Sequence, residues 1–235
     1  MTRSLLAAIA ASSLALAGAP AAGGAHETFG HSAHGRPLKL EWVGDRHAKR
    51  VVLVVGSIHG NETAGHAVIR RLRRARPPAG TAIALVEDMN PDGSAANTRQ
   101  NGRGVDLNRN FPVAWRGGGR PYGTYYPGRA PLTEPESRAA ERLIRRLRPA
   151  VTIWYHQHMG LVDRSGGDPA IERLYARRCG LPFRRLAPLA GTATRWQNHT
   201  FPGDTAFVVE LRAGRLTRAG AARHAAAVLA VAGAG

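Results

Sequence analysis

The hydrophobic positions of this chain form short apolar runs that alternate with segments of helical spacing. Residues 51–57 read VVLVVGS, a continuous β-branched run typical of a strand buried on both faces. Residues 62–75 follow with apolar side chains at helical spacing and arginines largely on the other faces, which predicts an amphipathic helix. The Pro77-Pro78 pair then ends this helix.

The same alternation continues to the end of the chain. Thr133 and Glu136 stand at capping-box spacing with Pro135 between them, which predicts a helix that begins after Thr133. We therefore expect one α/β domain over residues 37–235, with a mixed, mostly parallel β-sheet flanked by helices. The further predicted strands lie at 38–43, 82–87, 151–155 and 206–211, and the closing helix lies at 217–232.

One long segment in the middle of the chain lacks any such pattern. Residues 88–131 contain many Gly, Pro, Asn and Arg residues and almost no hydrophobic periodicity. A loop of this length inside a compact domain is usually functional or disordered.

Residues 1–25 have the pattern of a secretory signal peptide. Arg3 supplies a positive start, residues 5–17 are almost wholly apolar or small, and the small residues up to Ala25 offer cleavage sites of the Ala-x-Ala kind. The apolar run is shorter than the roughly 18–20 residues of a membrane span. The sequence thus predicts export to the periplasm or cell wall, no transmembrane span after signal removal, and a flexible mature terminus at residues 26–36.

The charge of the chain is strongly positive, with 33 Lys+Arg against 16 Asp+Glu and a formal net charge of +17. Residues 70–74 and 142–148 are rich in arginine, but they carry no recognised nucleic-acid module and no interleaved aromatic side chains. We therefore expect no nucleic-acid partner, and attraction to anionic envelope polymers instead. The single Cys179 excludes an intramolecular disulfide framework and a multi-cysteine zinc module.

Side chains with metal-binding and acid–base chemistry stand at the ends of the buried strands. Open α/β sheets place their ligand sites at the carboxyl ends of strands, so these side chains are expected to converge. Two histidines and one carboxylate form a common catalytic zinc set, and a separate carboxylate can act as general base. The residues concerned are His59 and Glu62 after the first buried strand, His156 and His158 after the third, and Glu210 in the last.

Each of these patterns also has a plainer interpretation. By itself, the His59-x-x-Glu62 spacing fits a capped helix start with an exposed carboxylate. Glu210 likewise fits a buried carboxylate paired with an arginine, since an unpaired charge in so apolar a run is costly. The position of His59 just after a buried strand and a glycine favours the metal site.

Five short motifs follow one another along the chain. They are HGNE at 59–62, NPDG at 90–93, VDLNRNF at 105–111, TEPE at 133–136 and FVVEL at 207–211. In content and order they resemble the zinc carboxypeptidase superfamily, the metallocarboxypeptidases, and the compact chain resembles its murein peptide amidase branch. The resemblance covers roughly residues 50–215, and the five motifs together are far more specific than any one of them.

The resemblance implies one zinc ion held by His59, Glu62 and His156. Strand alternation points His156 and His158 the same way, so the spacing alone leaves the third ligand open. The third ligand of the family directly follows the apolar run, which favours His156 and makes His158 a pocket-lining residue. Glu210 matches the catalytic glutamate, which takes a proton from the attacking water and later passes it to the leaving amine.

Further roles follow from the same resemblance. It places Asn108 and Arg109 on the terminal carboxylate of the substrate, which an arginine fork can hold bidentately. Arg99 matches the arginine that polarises the scissile carbonyl and stabilises the oxyanion. Asp106 matches a carboxylate that orients the first zinc histidine. The substrate-capping tyrosine of the family has no match, since residues 191–207 offer a tryptophan, a glutamine and a histidine instead.

The expected activity is that of a secreted zinc peptidase or amidase that hydrolyses a C-terminal amide bond. Export, the resemblance and the basic charge favour a peptidoglycan stem peptide cut at the γ-D-glutamyl–diaminopimelate amide, with Arg195 available to the extra carboxylate. A general metallocarboxypeptidase and an N-acyl amino acid deacylase are the alternatives, and a basic nucleic-acid- or peptide-binding protein is the non-enzymatic one. A serine hydrolase is disfavoured because Ser57 lacks the Gly-x-Ser-x-Gly elbow.

Overall fold

The predicted apolar runs become the inner strands of one sheet in the computed structural model, which describes residues 26–234. Its seven strands are β1 (His26–His31), β2 (Pro37–Val43), β3 (Arg50–Val55), β4 (Thr81–Val86), β5 (Val151–Asp163), β6 (Phe183–Arg184) and β7 (Thr205–Arg212). They are hydrogen-bonded in the order β1-β2-β4-β3-β5-β6, and β7 also pairs with β5.

The centre of the sheet is parallel and one edge is antiparallel. β3 lies between β4 and β5 and runs parallel to both, and β7 and β6 run parallel to β5. β2 pairs antiparallel with β4, and β1 pairs antiparallel with β2. The expected mixed, mostly parallel sheet is therefore confirmed.

β3 is buried on both faces, as its continuous apolar run predicts. Val52 and Val54 belong to one hydrophobic core, whereas Leu53 and Val55 belong to the other. Because successive side chains of a strand point to opposite faces, one run of four apolar residues supplies both cores. This double burial holds the carboxyl end of β3, where the chain enters the site, in one place.

Six helices are described in residues 26–234, and none is long and apolar enough to cross a membrane. The helices predicted at 62–75, after Thr133 and at 217–232 are confirmed, although the first is shorter and follows a 3₁₀ turn. The helices are α1 (His66–Leu72), α2 (Pro91–Ala96), α3 (Pro135–Leu147), α4 (Pro169–Cys179), α5 (Ala193–Thr200) and α6 (Arg218–Ala232).

The predicted capping box at the start of α3 is wrong. The N-cap residue is Glu134, and its side chain makes no capping hydrogen bond. The Thr133 hydroxyl instead accepts a hydrogen bond of 3.0 Å from the Asn110 amide, because the loop before α3 is tied to the VDLNRNF segment. A tertiary contact therefore replaces the local cap.

The expectation of a flexible mature terminus at residues 26–36 is also wrong. This segment forms β1 and a turn, and its backbone is held by two distant carboxylates. The Ala33 N–H donates to Glu136 at 2.8 Å, and the His34 N–H donates to Asp92 at 2.9 Å. The predicted signal peptide at residues 1–25 lies outside the described residues.

The pattern-free segment 88–131 is an ordered loop that carries much of the site. It contains α2, whose N-cap Asn90 accepts a hydrogen bond from the Gly93 N–H at 2.9 Å. It also contains a 3₁₀ turn at Leu107–Arg109, with Asp106 as its N-cap residue. Hydrophobic periodicity does not predict this segment, because its buried apolar residues Met89, Leu107 and Phe111 follow no helix or strand spacing and polar contacts fix its turns.

Candidate active site

The candidate ligands and the candidate base meet beyond the carboxyl end of β3, in the middle of β5 and near the carboxyl end of β7. β5 continues to Asp163, past the predicted strand at 151–155, so His156 lies within the strand and not after it. His59 follows β3, and Glu62 stands at the entry to a 3₁₀ turn that leads into α1. His156 lies in β5 and pairs in register with Glu210 of β7. Three neighbouring strands thus bring the four side chains to one edge of the sheet, as the sequence predicts.

His59, Glu62 and His156 form a compact, buried donor set. Oε2 of Glu62 lies 3.0 Å from Nδ1 of His59 and 3.1 Å from Nδ1 of His156. The two Nδ1 atoms lie 3.1 Å from each other. Two ring nitrogens and one carboxylate oxygen are therefore directed at a common point.

This donor set fits zinc. Zinc takes histidine nitrogens and carboxylate oxygens at about 2.0–2.2 Å, so donors around a tetrahedral ion lie roughly 3.3 Å from one another. The separations of 3.0–3.1 Å among the three donors are close to that spacing. Three protein donors leave one tetrahedral position for water or substrate, which is the arrangement of a catalytic and not a structural zinc site.

Asp106 orients His59. Its Oδ1 lies 3.0 Å from Nε2 of His59, which leaves Nδ1 for the metal, and the same oxygen accepts the Asn108 N–H at 2.9 Å. Burial opposes ionisation of Asp106, yet the His59 and Arg99 charges hold its pKa well below the usual range. The structure thus places an ionised carboxylate where the resemblance puts one.

Arg99 bridges two carboxylates of the site. Its Nη1 donates to Oε1 of Glu62 at 2.8 Å, and its Nε donates to Oδ2 of Asp106 at 2.9 Å. Burial opposes the charge of Glu62, but hydrogen bonds from His156 and His59 lower its pKa. Arg99 therefore orients a candidate metal ligand and a second carboxylate, and its partly exposed side chain also lines the cavity.

The structure gives Asn108 a contact that the sequence does not predict. Its Nδ2 lies 3.3 Å from Nε2 of His156, and its Oδ1 accepts the Ala193 N–H at 3.0 Å. The amide thus links the third candidate ligand to the start of α5. With Nδ1 of His156 directed at the metal point, Nε2 of His156 carries the ring hydrogen and cannot accept one from the amide, so both N–H groups of Asn108 remain for a substrate.

Arg109 is buried beside this amide. Its Nη1 donates to the Asn108 carbonyl at 2.7 Å, and burial lowers its pKa against the opposing effect of the Asp106 charge. In the described part of the chain no carboxylate forms an ion pair with Arg109, and its side chain lines the cavity. Its remaining N–H groups are therefore available to a carboxylate from outside.

Glu210 lines the same cavity as the three candidate ligands. Its Oε2 is buried, and no group in residues 26–234 forms a hydrogen bond with it. The plainer interpretation of Glu210, a carboxylate paired with an arginine, therefore has no counterpart in the described residues. A carboxylate oxygen without a partner beside a metal site is suited to accept a proton.

These residues share a cavity of about 880 Å³. Its outer wall contains three exposed arginines, Arg164, Arg185 and Arg195, for which no ion pair is seen among residues 26–234. Three of the four large hydrophobic side chains described as exposed also line it. These three are Tyr125, Met159 and Leu189.

Sequence reasoning missed two residues that complete the site. The Gln157 N–H donates to Oε2 of Glu62 at 3.1 Å, and the Gln157 side chain accepts the Ala64 N–H at 2.9 Å. Tyr125 lies over two arginines of the cavity, and no motif or periodicity identifies it.

His156 is buried in the donor set, whereas His158 is exposed and lines the cavity, which agrees with the preference for His156.

A mixed α/β sheet that carries a candidate His–Glu–His zinc site, beside a glutamate oxygen without a hydrogen-bond partner in residues 26–234, is the arrangement of a zinc metallohydrolase. The family model for zinc carboxypeptidase (Peptidase_M14) matches residues 25–177, and the chain belongs to this family.

Curated relatives point to one branch of that family. Murein peptide amidase A of Escherichia coli (strain K12) is 30% identical over 148 residues, which are 58% of this chain and 61% of that protein. Murein peptide amidase A of Vibrio campbellii (strain ATCC BAA-1116) is 31% identical over 154 residues, 61% of this chain and 60% of that protein. The matched segment thus spans about three-fifths of each relative.

Solved structures share the fold over nearly the whole chain. Murein-tripeptide amidase MpaA from Escherichia coli O157 superposes with a TM-score of 0.69 at 24% identity, covering 88% of this chain and 90% of that one. Carboxypeptidase A from Helicoverpa armigera superposes with a TM-score of 0.75 at 18% identity, covering 90% and 69%. These likenesses establish the architecture.

Proposed function

We propose that this protein is an exported zinc amidase that hydrolyses a peptidoglycan stem peptide at the γ-D-glutamyl–diaminopimelate amide. The observation that carries the proposal is the shared cavity. It is lined by the His59, Glu62 and His156 donors and by Glu210 and Arg109, neither of which forms an ion pair within residues 26–234. Metal donors, a base and a carboxylate receptor are the groups that hydrolysis of a C-terminal amide needs.

The residues of the chain divide the chemistry among them. Arg109, with an N–H of Asn108, binds the terminal carboxylate and sets the scissile amide against the metal side of the cavity. His59, Glu62 and His156 would hold a zinc ion, which would polarise a carbonyl as a Lewis acid and acidify water when bound. Glu210 Oε2 takes the proton from the attacking water and delivers it to the leaving amine. Arg99 holds Glu62 and Asp106 in place and offers positive charge near the developing oxyanion.

A substrate with several carboxylates suits the outer wall of the cavity. Arg164, Arg185 and Arg195 line it without an ion-pair partner in residues 26–234. Diaminopimelate carries a second carboxylate on its side chain, and a guanidinium group binds carboxylates by paired hydrogen bonds. Two relatives, murein peptide amidase A and murein-tripeptide amidase, are named for the same substrate class.

The location in the cell is part of the same proposal. The signal-peptide pattern of residues 1–25 directs the chain out of the cytoplasm, and the net charge of +17 attracts it to anionic envelope polymers. Fractionation of cells that express the full chain tests this step, because a protein retained in the cytoplasm with residues 1–25 intact contradicts export.

Mass spectrometry of the products from defined muropeptides tests the activity. The zinc-loaded protein is expected to release diaminopimelate from the tripeptide, and removal of zinc with a chelator is expected to stop this release. The same panel contains ordinary peptides with free C-termini and N-acyl amino acids. Rapid turnover of either of these, with the murein tripeptide untouched, rejects the wall substrate in favour of a general carboxypeptidase or a deacylase.

A further inference from the structure

Tyr125 is a large aromatic side chain that folding leaves in contact with solvent. It is 61% exposed, in a chain whose other aromatic rings are mostly buried, and it lines the same cavity as the candidate zinc ligands. Burial of an exposed aromatic ring by a ligand is favourable because it removes apolar area from water. The exposure of Tyr125 at the cavity therefore calls for a functional explanation.

The ring of Tyr125 covers both arginines that face the reaction. The guanidinium carbon of Arg109 lies 5.0 Å from the ring centroid, and that of Arg99 lies 5.5 Å from it. Both distances are within the range of cation–π attraction. This attraction becomes stronger when water is excluded from around the cation and the ring. One aromatic ring thus lies close to both the candidate carboxylate receptor and the arginine that binds the Glu62 carboxylate.

Hydrogen bonds to backbone carbonyls hold the loop on both sides of Tyr125. Before it, the Gln100 side chain donates to the Gly123 carbonyl at 2.9 Å. After it, the Asp106 N–H donates to the Tyr126 carbonyl at 2.8 Å. These bonds tie the Tyr125 loop to the segment that carries Arg99 and Asp106, so the ring is held over the two arginines by the fold itself.

We propose that Tyr125 is a substrate-contacting residue that packs against the C-terminal residue of the substrate beside Arg109. This inference rests on the proposed function, because it assigns a residue to the carboxylate end of that same site. The ring face keeps the Arg109 guanidinium directed at the terminal carboxylate, and the ring edge packs on the aliphatic part of the terminal side chain. Tyr125 thereby favours substrates whose last residue carries both a free carboxylate and an extended aliphatic chain.

Tyr122 provides a matched control. It is 62% exposed and lies three positions earlier in the same loop, but it lines the separate cavity beside His34 and Asp92. Tyr122→Ala thus removes an equally exposed ring from the same loop without touching the arginines of the site. Tyr125→Phe keeps the aromatic face and removes only the hydroxyl.

Steady-state kinetics on the best substrate of the peptide panel gives the first readout. Tyr125→Ala is expected to raise KM about tenfold with kcat changed less than about threefold, because the lost contact is a binding contact. Tyr125→Phe and Tyr122→Ala are expected to stay within about twofold of the parent. A KM for Tyr125→Ala equal to that of Tyr122→Ala overturns the proposal, and so does a Tyr125→Phe variant as weak as Tyr125→Ala.

Calorimetric binding gives a readout that does not depend on turnover. Zinc-loaded protein carrying Glu210→Gln is titrated with the murein tripeptide and with the same tripeptide as a C-terminal amide. Adding Tyr125→Ala is expected to weaken binding of the free acid about tenfold and binding of the amide by a clearly smaller factor, because the amide keeps only the aliphatic contact with the ring. Equal losses for acid and amide contradict a role at the carboxylate.

Failure of this inference is distinguishable from failure of the proposed function. If the murein tripeptide is not turned over, the wall substrate is rejected, and the Tyr125 variants are compared on whichever peptide of the panel is cleaved. If the murein tripeptide is cleaved and the Tyr125→Ala variant behaves like the Tyr122→Ala control, the function stands and the role of Tyr125 is rejected.

Discussion

Glu210 of β7 lies directly opposite His156 of β5 in the register of these two parallel strands. Residues paired in register project from the same face of a sheet, so the strand pairing sets the candidate base beside the third candidate zinc ligand. The backbone hydrogen bonds of two buried strands, and not a mobile loop, therefore define the distance between base and metal site. This is the rigid placement that general-base catalysis requires.

Replacing the base tests this arrangement most directly. Glu210→Gln keeps the shape of the side chain but cannot accept a proton, so kcat is expected to fall about 10²–10⁴-fold. Zinc content is expected to stay at one ion per chain, because Glu210 is outside the donor set. Both are measured on one preparation, by product release and by metal analysis.

Glu141→Gln supplies the control for this variant. Glu141 lies on α3 and pairs with Arg145 at the surface, so its replacement is expected to leave both kcat and zinc content unchanged. Activity that survives Glu210→Gln at the parent level contradicts the mechanism.

Asp106 is expected to control zinc affinity through His59. The carboxylate is fully buried and accepts from the ring nitrogen that does not face the metal point. Asp106→Asn removes the charge that fixes this ring, and it is expected to weaken zinc binding about 10–100-fold. Competition with a fluorescent chelator measures the loss, and the exposed Asp45→Asn serves as control. Unchanged affinity in Asp106→Asn excludes the orienting role.

Arg109 is expected to recognise the terminal carboxylate by geometry and not by charge alone. Arg109→Lys keeps the charge but loses the planar fork, so KM is expected to rise at least about tenfold. A substrate blocked as its C-terminal amide has no carboxylate to lose, and its turnover is expected to be similar in the parent and the variant. The exposed Arg71→Lys controls for the general exchange of arginine by lysine. Equal effects of Arg109→Lys on acid and amide substrates contradict the assignment.

The parts of this molecule that sequence predicts are those with a local signal. Continuous β-branched runs predict β3 and β5, and side chains that follow buried strands predict His59, His156 and Glu210 as neighbours. These predictions succeed because strand burial and the direction of parallel strands are set by the pattern itself.

The remaining parts depend on contacts between distant residues. β1 has few apolar positions and is held by pairing with β2, so the hydrophobic pattern of the sequence does not predict it. Tyr125 is distinguished only by the two arginines that the fold brings close to its ring. α4 was identifiable in principle, because Asp168 caps it and Gly180 ends it in the left-handed conformation.

Gly60 stands between the candidate ligands His59 and Glu62, and the fold explains why this position is a glycine. A Cβ at Gly60 would lie 1.9 Å from the Gly93 carbonyl carbon, because the HGNE and NPDG motifs pack backbone to backbone. Gly60→Ala is therefore expected to displace His59 and Glu62 and to lower both the melting temperature and zinc binding. Gly203→Ala, where nothing lies within 4 Å of a Cβ, is expected to change neither. A Gly60→Ala protein with parent-like melting and zinc content contradicts the close approach.

Glu172 is expected to make stability depend on pH. It is fully buried, its Oε2 has no hydrogen-bond partner in residues 26–234, and its Oε1 accepts the N–H groups of Ser165 and Gly167. Burial raises its pKa from 4.5 to about 7, with the backbone hydrogen bonds acting in the opposite direction. The folded state therefore holds this proton at pH values where the unfolded state has released it.

The sign of the effect follows from this difference. The contribution of Glu172 to the free energy of unfolding is fully present below a pH of about 4.5 and is lost as the pH rises through about 7. Glu172→Gln stays neutral and keeps the Oε1 acceptor, so its melting temperature is expected to gain a few degrees relative to the parent between about pH 5 and about pH 8. Because all other titrating groups are common to both proteins, the difference between the two melting curves isolates this carboxyl. The control Glu141→Gln is expected to have the melting temperature of the parent at about pH 5 and at about pH 8. If Glu172→Gln also matches the parent at both pH values, the pKa of Glu172 is not raised in the folded state and the prediction is wrong.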